Sequence, residues 1–331
     1  MKTAIMSCLL LALAWTGAPA AQAPARAAGL GKVPGQEYVR LADWAKGRGL
    51  KVRWLKPDET LELNNPASRL VVAIDSRQAQ FNAVQVWLFF PVVAQKGVIW
   101  LSRVDADLTL RPLFSPPRSP PGARIKTVCL DPGHGGRDPG NQVGANQEKR
   151  FTLLLAQEVK KQLARAGLKV VLTRSGDSYL EPPSRPAVAN RHKANLFLSL
   201  HFNAAGNDRS TVQGAEVFCL TPAGVASTNA RGEGADTGSF TGNRYNDLNL
   251  FLAYQVQKSL TRTLAVQDRG VRRARFAVLR DAAMPAVLIE AGFMSHPAEG
   301  RKIFTAAYRR EVARAIVEGV LACKKTVERG A

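Results

Sequence analysis

Residues 127–149 read Thr-Val-Cys-Leu-Asp-Pro-Gly-His-Gly-Gly-Arg-Asp-Pro-Gly-Asn-Gln-Val-Gly-Ala-Asn-Gln-Glu-Lys. The apolar, β-branched start from Thr127 to Leu130 predicts a buried strand, and Asp131-Pro132-Gly133 ends it at once. From Glu148 the period changes: Phe151, Leu155, Val159 and Leu163 recur every four residues, which marks one apolar face of a helix. His134 is thereby placed on a glycine-rich loop leaving a strand, and Glu148 opens the helix beyond that loop.

Two more apolar runs end in the same manner. Leu196-Phe-Leu-Ser-Leu-His201-Phe-Asn203 reads as a buried strand with a polar exit, and Ala286-Val-Leu-Ile-Glu290 ends in a carboxylate followed by Ala291-Gly292-Phe293. Each residue has a plain structural reading. A histidine at a strand end is commonly just hydrogen-bonded, and a glutamate opening a helix is favoured by the helix dipole alone. Glu290 is harder to explain in that way, because carboxylates are almost never buried unpaired. Taken together, four candidate groups at strand ends or a helix start suit a catalytic metal centre. Such a centre draws three protein ligands from His, Glu or Cys and leaves one position open. Open α/β sheets place their ligands at these carboxyl ends.

The motifs Asp131-Pro-Gly-His134-Gly-Gly, Glu148-Lys149, Ser199-Leu-His201-Phe-Asn203 and Glu290-Ala-Gly-Phe293 resemble, in order and spacing, the zinc-dependent N-acetylmuramoyl-L-alanine amidases of the amidase-3 type. Thr173-Arg174 with Asp177, Arg185 with Ala189-Asn190, and Arg269-Gly270-Val271 leading to Phe276-Ala-Val-Leu-Arg280 add to the match, which runs from about Arg124 to Cys323. The resemblance implies that His134, Glu148 and His201 bind Zn2+ and that Glu290 is the catalytic carboxylate. It also implies the bond cleaved, which joins the lactyl group of N-acetylmuramic acid to L-alanine in peptidoglycan. Zinc lowers the pKa of bound water toward about 7 and polarises the scissile carbonyl. Glu290 would take the proton from that water and pass it to the leaving amine. His296 stands where the family usually has Asn, and a surface capping role is the better reading. Asn203 is a candidate contact for the substrate amide. Arg174, Asp177 and Arg185 read as an ion-pair cluster, with bracing preferred over substrate contact.

Residues 1–23 have one Lys, an apolar core from Ile5 to Trp15 and Ala-x-Ala patterns, the features of a secretory signal peptide. That core is too short to span a bilayer, so the expectation is an exported protein of the periplasm or cell envelope without a membrane span. The net charge of +20 favours polyanions. Cell wall carboxylates are preferred over nucleic acid, because the Lys and Arg residues are scattered and no nucleic-acid motif is present. Cys129, Cys219 and Cys323 remain after the signal peptide, an odd number that implies no disulfide framework.

Residues 30–114 show short alternating runs separated by Pro, Asn, Asp and Gly, the pattern of a small β-rich domain with one helix near Leu41 to Gly47. Its rhythm is similar to the copper amine oxidase N-terminal-like modules of envelope proteins, although no copper ligands accompany it. It is either a wall-binding module or a scaffold. Residues 115–123 form a Pro-rich linker. The catalytic domain, residues 124–325, alternates strands and helices, which predicts an α/β fold: a mostly parallel twisted sheet with helices on both faces. Thr221 to Asn246 is rich in Gly, Ser, Thr, Asn and Ala and reads as a loop without an apolar face to plug a site, hence an enzyme open without an activator. A monomer acting on peptidoglycan is the expectation. The rivals are another wall-directed zinc hydrolase (a peptidase or deacetylase) and a non-catalytic wall-binding protein.

Overall fold

The computed structural model describes residue 32 and residues 35–206, 208–228 and 238–329. The expected signal peptide lies outside the described residues, as do residues 229–237 of the expected loop.

The N-terminal part is built from β1 (Tyr38–Arg40), β2 (Lys51–Lys56), β3 (Thr60–Asn65), β4 (Ser68–Ala73), β5 (Ser76–Phe81), β6 (Val84–Gln95) and β7 (Val98–Ser102), with one helix at Leu41–Lys46 and helical turns over residues 103–114. It is followed by β8 (Thr127–Pro132), the short pair β9 (Gln142–Val143) and β10 (Asn146–Gln147), β11 (Lys169–Leu172), β12 (Leu196–Asn203), β13 (Ala215–Leu220), β14 (Asp268–Ala274) and β15 (Ala286–Phe293). These strands alternate with helices, of which Glu148–Arg165, Asn246–Leu264 and Ala306–Val327 are the long ones.

The main sheet runs β11-β8-β12-β15-β13-β14-β6-β5-β4-β3-β2. β11, β8, β12 and β15 are parallel. β13 turns against β15, and β14 runs parallel to β13. The carboxyl ends of β8, β12 and β15 therefore share one edge with the beginnings of β13 and β14.

Period decides which face each strand residue serves. Leu198, Leu200, Val217 and Ile289 point to the face covered by the long helices, where Phe151, Leu155, Val159 and Leu163 are buried. Phe197, Phe218 and Leu288 point to the other face, under the short helices Arg185–Arg191 and Ala277–Arg280. On that second face His201 and Glu290 follow Phe197 and Leu288 in strand alternation.

The N-terminal strands continue the same sheet. β6 meets β14 in parallel at Val86 and Val271. Around this seam Trp87 Nε1 donates to Arg269 O at 2.9 Å, and Gln85 N to Asp268 Oδ2 at 2.7 Å. Arg111 forks onto Asp247 at 2.8 and 3.0 Å. Phe81 packs edge-on against Tyr254 with ring centroids 5.5 Å apart. Within the Pro-rich segment Ser119 N donates to Val327 O at 2.8 Å, which straps that segment to the end of the last helix. Among the described residues no helix is long and apolar enough to cross a membrane.

Candidate metal centre

His134 occupies the loop after β8 in the left-handed region, φ 61°. A non-glycine residue is rarely held there without support from its surroundings. Two arginines supply that support. Arg185 Nη1 donates to Asp131 Oδ1 at 2.9 Å and to Pro132 O at 3.0 Å, while its Nη2 donates to His134 O at 3.0 Å. Arg174 Nε donates to Pro132 O at 3.0 Å, and its Nη2 reaches Gly133 O and Lys149 O, both at 2.8 Å. Asp177 instead takes Lys149 Nζ at 2.8 Å and Gly136 N at 2.7 Å. The three residues thus brace the loop through separate contacts.

Glu148, the first residue of its helix, is 1% exposed. Its Oε2 lies 3.1 Å from His134 Nε2 and its Oε1 lies 3.0 Å from His201 Nδ1. Potential ligand atoms of His134, Glu148 and His201 all lie within 4.8 Å of one another. The carboxylate is further fixed by Phe202 N at 3.0 Å and by Asn141 N and Nδ2 at 3.0 and 2.8 Å. Burial alone would raise its pKa, but the hydrogen bonds and charge of the two imidazoles overcome that and hold it well below the usual carboxylate range.

Two glycines give the cluster its room. A Cβ on Gly133 would stand 2.2 Å from the His201 ring, and one on Gly140 would stand 2.6 Å from His134 Cδ2 and 2.7 Å from Glu148 Oε2. Behind His134, its Nδ1 lies 2.8 Å from Asp138 Oδ2, the carboxylate–imidazole pairing that fixes the tautomer of a metal ligand. Burial lowers the pKa of His134, and Glu148 and Asp138 together more than offset this, leaving it raised.

Glu290 pairs across β15 with His201 of β12 on one side and Glu216 of β13 on the other. Its Oε2 is buried and has no hydrogen-bond partner among the described residues. Burial, with Glu148 and Glu216 nearby, pushes its pKa well above the ordinary value. Two imidazoles, a buried carboxylate and a second acid with an unmatched oxygen make a donor set that fits a cation.

Asn203 lies beside this group, but its amide is engaged within the protein. Nδ2 donates to Glu216 Oε1 at 2.9 Å, and Oδ1 accepts from Ala204 N at 2.8 Å. His296 caps the helix Pro297–Ile303, its Nδ1 accepting from Glu299 N at 3.2 Å. The described cysteines are free and buried, and burial with Asp131 close by pushes the Cys129 thiol up to about 12, so it packs rather than ligates. Asp138, Asn141 and Glu216 were not singled out from the sequence. The charge inside the otherwise apolar run Ala215–Leu220 was a usable signal for the last. The described start of the segment after Leu220 leaves the sheet at the end away from Glu290, since Glu216 pairs with Glu290 and Cys219 with Val287 near the start of β15.

Residues 128–322 match the family described as N-acetylmuramoyl-L-alanine amidase. The amidase AmiA of Escherichia coli K12 is 32% identical over 233 residues, covering 62% of this chain and 79% of that protein. AmiC of Neisseria meningitidis is 32% identical over 238 residues, 65% of this chain and 56% of that protein. Among solved structures, an amidase of Clostridium difficile 630 aligns at TM-score 0.50 with 31% identity, over 60% of this chain and 97% of its own. AmiC2 of Nostoc punctiforme aligns at TM-score 0.50 with 30% identity, over 61% of this chain and 98% of its own.

Proposed function

The chain belongs to the N-acetylmuramoyl-L-alanine amidase family, and from that premise we propose that His134, Glu148 and His201 hold a zinc ion while Glu290 moves the proton in peptidoglycan hydrolysis. The observation that carries this reading is the three-residue cluster, its potential ligand atoms within 4.8 Å, together with the Oε2 of Glu290, which has no partner among the described residues. Zinc suits two imidazoles and a carboxylate, and when bound it supplies Lewis acidity and an activated water at neutral pH.

The remaining work falls to the chain. Asp138 holds His134 at Nδ1 so that Nε2 faces the cluster. Asn141 and the Phe202 amide keep Glu148 in place. Glu290, made a stronger base by burial, accepts a proton at its carboxylate and delivers it to the departing amine nitrogen of L-alanine. Arg174 and Arg185 keep the His134 loop in its strained conformation through the cycle. The signal-peptide pattern and the charge of +20 support an enzyme of the cell envelope that acts on an acidic wall.

Mass spectrometry of the products from purified peptidoglycan, with and without a chelator, tests the reading. Free stem peptides beginning in L-alanine, released only when metal is present, are the expected outcome. Chelator-sensitive cleavage of a different bond would make it another wall hydrolase, and cleavage indifferent to chelator would remove the metal from the mechanism.

A further inference from the structure

Arg269 is a cation beside the site that the metal cluster does not use. It lies at the start of β14, on the edge of the sheet that also carries the ends of β12 and β15. Its neighbour on the same strand, Arg272, takes Glu216 directly, Nε to Oε2 at 2.8 Å. The other Glu216 oxygen is taken by Asn203. Arg269 Nε comes only to 3.4 Å of the Oε2 already engaged, and that buried Nε makes no hydrogen bond among the described residues. The group therefore holds two guanidinium charges against the one carboxylate of Glu216.

The guanidinium of Arg269 is nonetheless held in place. It stacks on the Phe293 ring, 4.8 Å from the centroid. Its backbone carbonyl is pinned by Trp87 Nε1 at 2.9 Å and by Gln85 Nε2 at 3.4 Å. The side chain stays 24% exposed. A planar guanidinium laid on an aromatic ring, with donors to spare and its backbone fixed, is preorganised for a carboxylate.

We propose that Arg269, seated on Phe293 and next to Glu216, the cross-strand partner of Glu290, is a subsite for a free carboxylate of the stem peptide. This deepens the amidase reading and rests on it. The chemistry of the substrate selects the peptide side: the muramic acid carboxyl is consumed in the scissile amide, so free carboxylates near that bond belong to the peptide. The enzyme accordingly prefers stem peptides with free carboxylates over the same peptides amidated at those positions.

The test is binding, measured by calorimetry on the full mature chain loaded with zinc and carrying Glu290→Gln, so that the ligand is not consumed. The ligands are a soluble muramoyl peptide with free carboxylates and its amidated counterpart. A charged hydrogen bond of this kind corresponds to about a tenfold to hundredfold preference for the free acid. Adding Arg269→Ala should abolish that ratio while leaving affinity for the amidated ligand unchanged, and Arg269→Lys should restore part of it. Equal affinity for the two ligands with Arg269 intact overturns the proposal, and that comparison depends on no substitution at position 269. An unchanged ratio in R269A overturns it as well. Product analysis reports separately on the reaction: cleavage of a different bond would fail the amidase reading, whereas the ratio alone decides the subsite.

Discussion

Buried acids are treated in opposite ways in the two parts of this sheet. In the N-terminal part Asp105 is fully buried and fully matched, accepting from Phe89 N at 2.8 Å, Phe90 N at 3.0 Å, Ser102 Oγ at 2.6 Å and Thr109 Oγ1 at 3.2 Å. Glu62, on the same side of the seam, is closed in by Arg53, Arg69 and Asn64. Across the seam Glu290 is half-buried, with its buried Oε2 unmatched among the described residues and with Glu148 and Glu216 as like-charged neighbours. Folding satisfies buried polar groups almost everywhere, so a saturated acid reads as architecture and an unsaturated one as a place waiting for a ligand.

The sharpest way to break that contrast is Glu148→Ala, which removes the carboxylate shared by both histidines. Metal analysis of the purified variant should find the zinc gone, and peptidoglycan hydrolysis should fall to background; wild-type metal content would dissolve the cluster as a site. Glu290→Gln is the next largest effect. Hydrolysis should drop about a hundredfold to ten-thousandfold with zinc stoichiometry unchanged, and a simultaneous loss of metal would mean that Glu290 is a ligand rather than a base.

Asp105→Ala addresses the other side of the seam. It strands the Phe89 and Phe90 amides and should cost about 3 kcal/mol in denaturant unfolding, with turnover per folded molecule unchanged. A specific loss of turnover would erase the distinction between the two parts. Zinc at a hundred times its dissociation constant should stabilise the apo-protein by about 2.7 kcal/mol, read as a rise in melting temperature that E148A lacks. The smallest effect belongs to Trp54, 41% exposed on the outermost strand. Trp54→Ala should change stability by no more than about 0.5 kcal/mol and leave turnover of soluble fragments alone. Weaker sedimentation of this variant with intact sacculi would identify the N-terminal face as a wall-binding surface, and unchanged sedimentation would leave it a scaffold.

Much of the site was legible because its signals are local. A strand ending in Asp131-Pro132-Gly133 places His134 on the following loop, and the four-residue recurrence after Glu148 identifies a helix start. Asn203 was legible as a polar group near His201 but not in its task, because its partner Glu216 lies on a different strand. Asp138 was hidden by its surroundings, since an acid in a glycine-rich loop looks like a turn former until the fold brings it against His134.

By itself the sequence determined the strands that end near His134, His201 and Glu290 and the helix that opens at Glu148, and therefore which residues stand at those ends. Propensity, period and chain-terminating turns act within a few residues of one another, so they survive in a one-dimensional reading. Only the tertiary structure decided that β13 and β14 run against β15, that β6 joins β14 at Val86 and Val271, and that Glu216, Arg272 and Arg269 consequently gather beside Glu290. Strand partners and strand sense are set by contacts between residues far apart in the chain, and no local pattern encodes them.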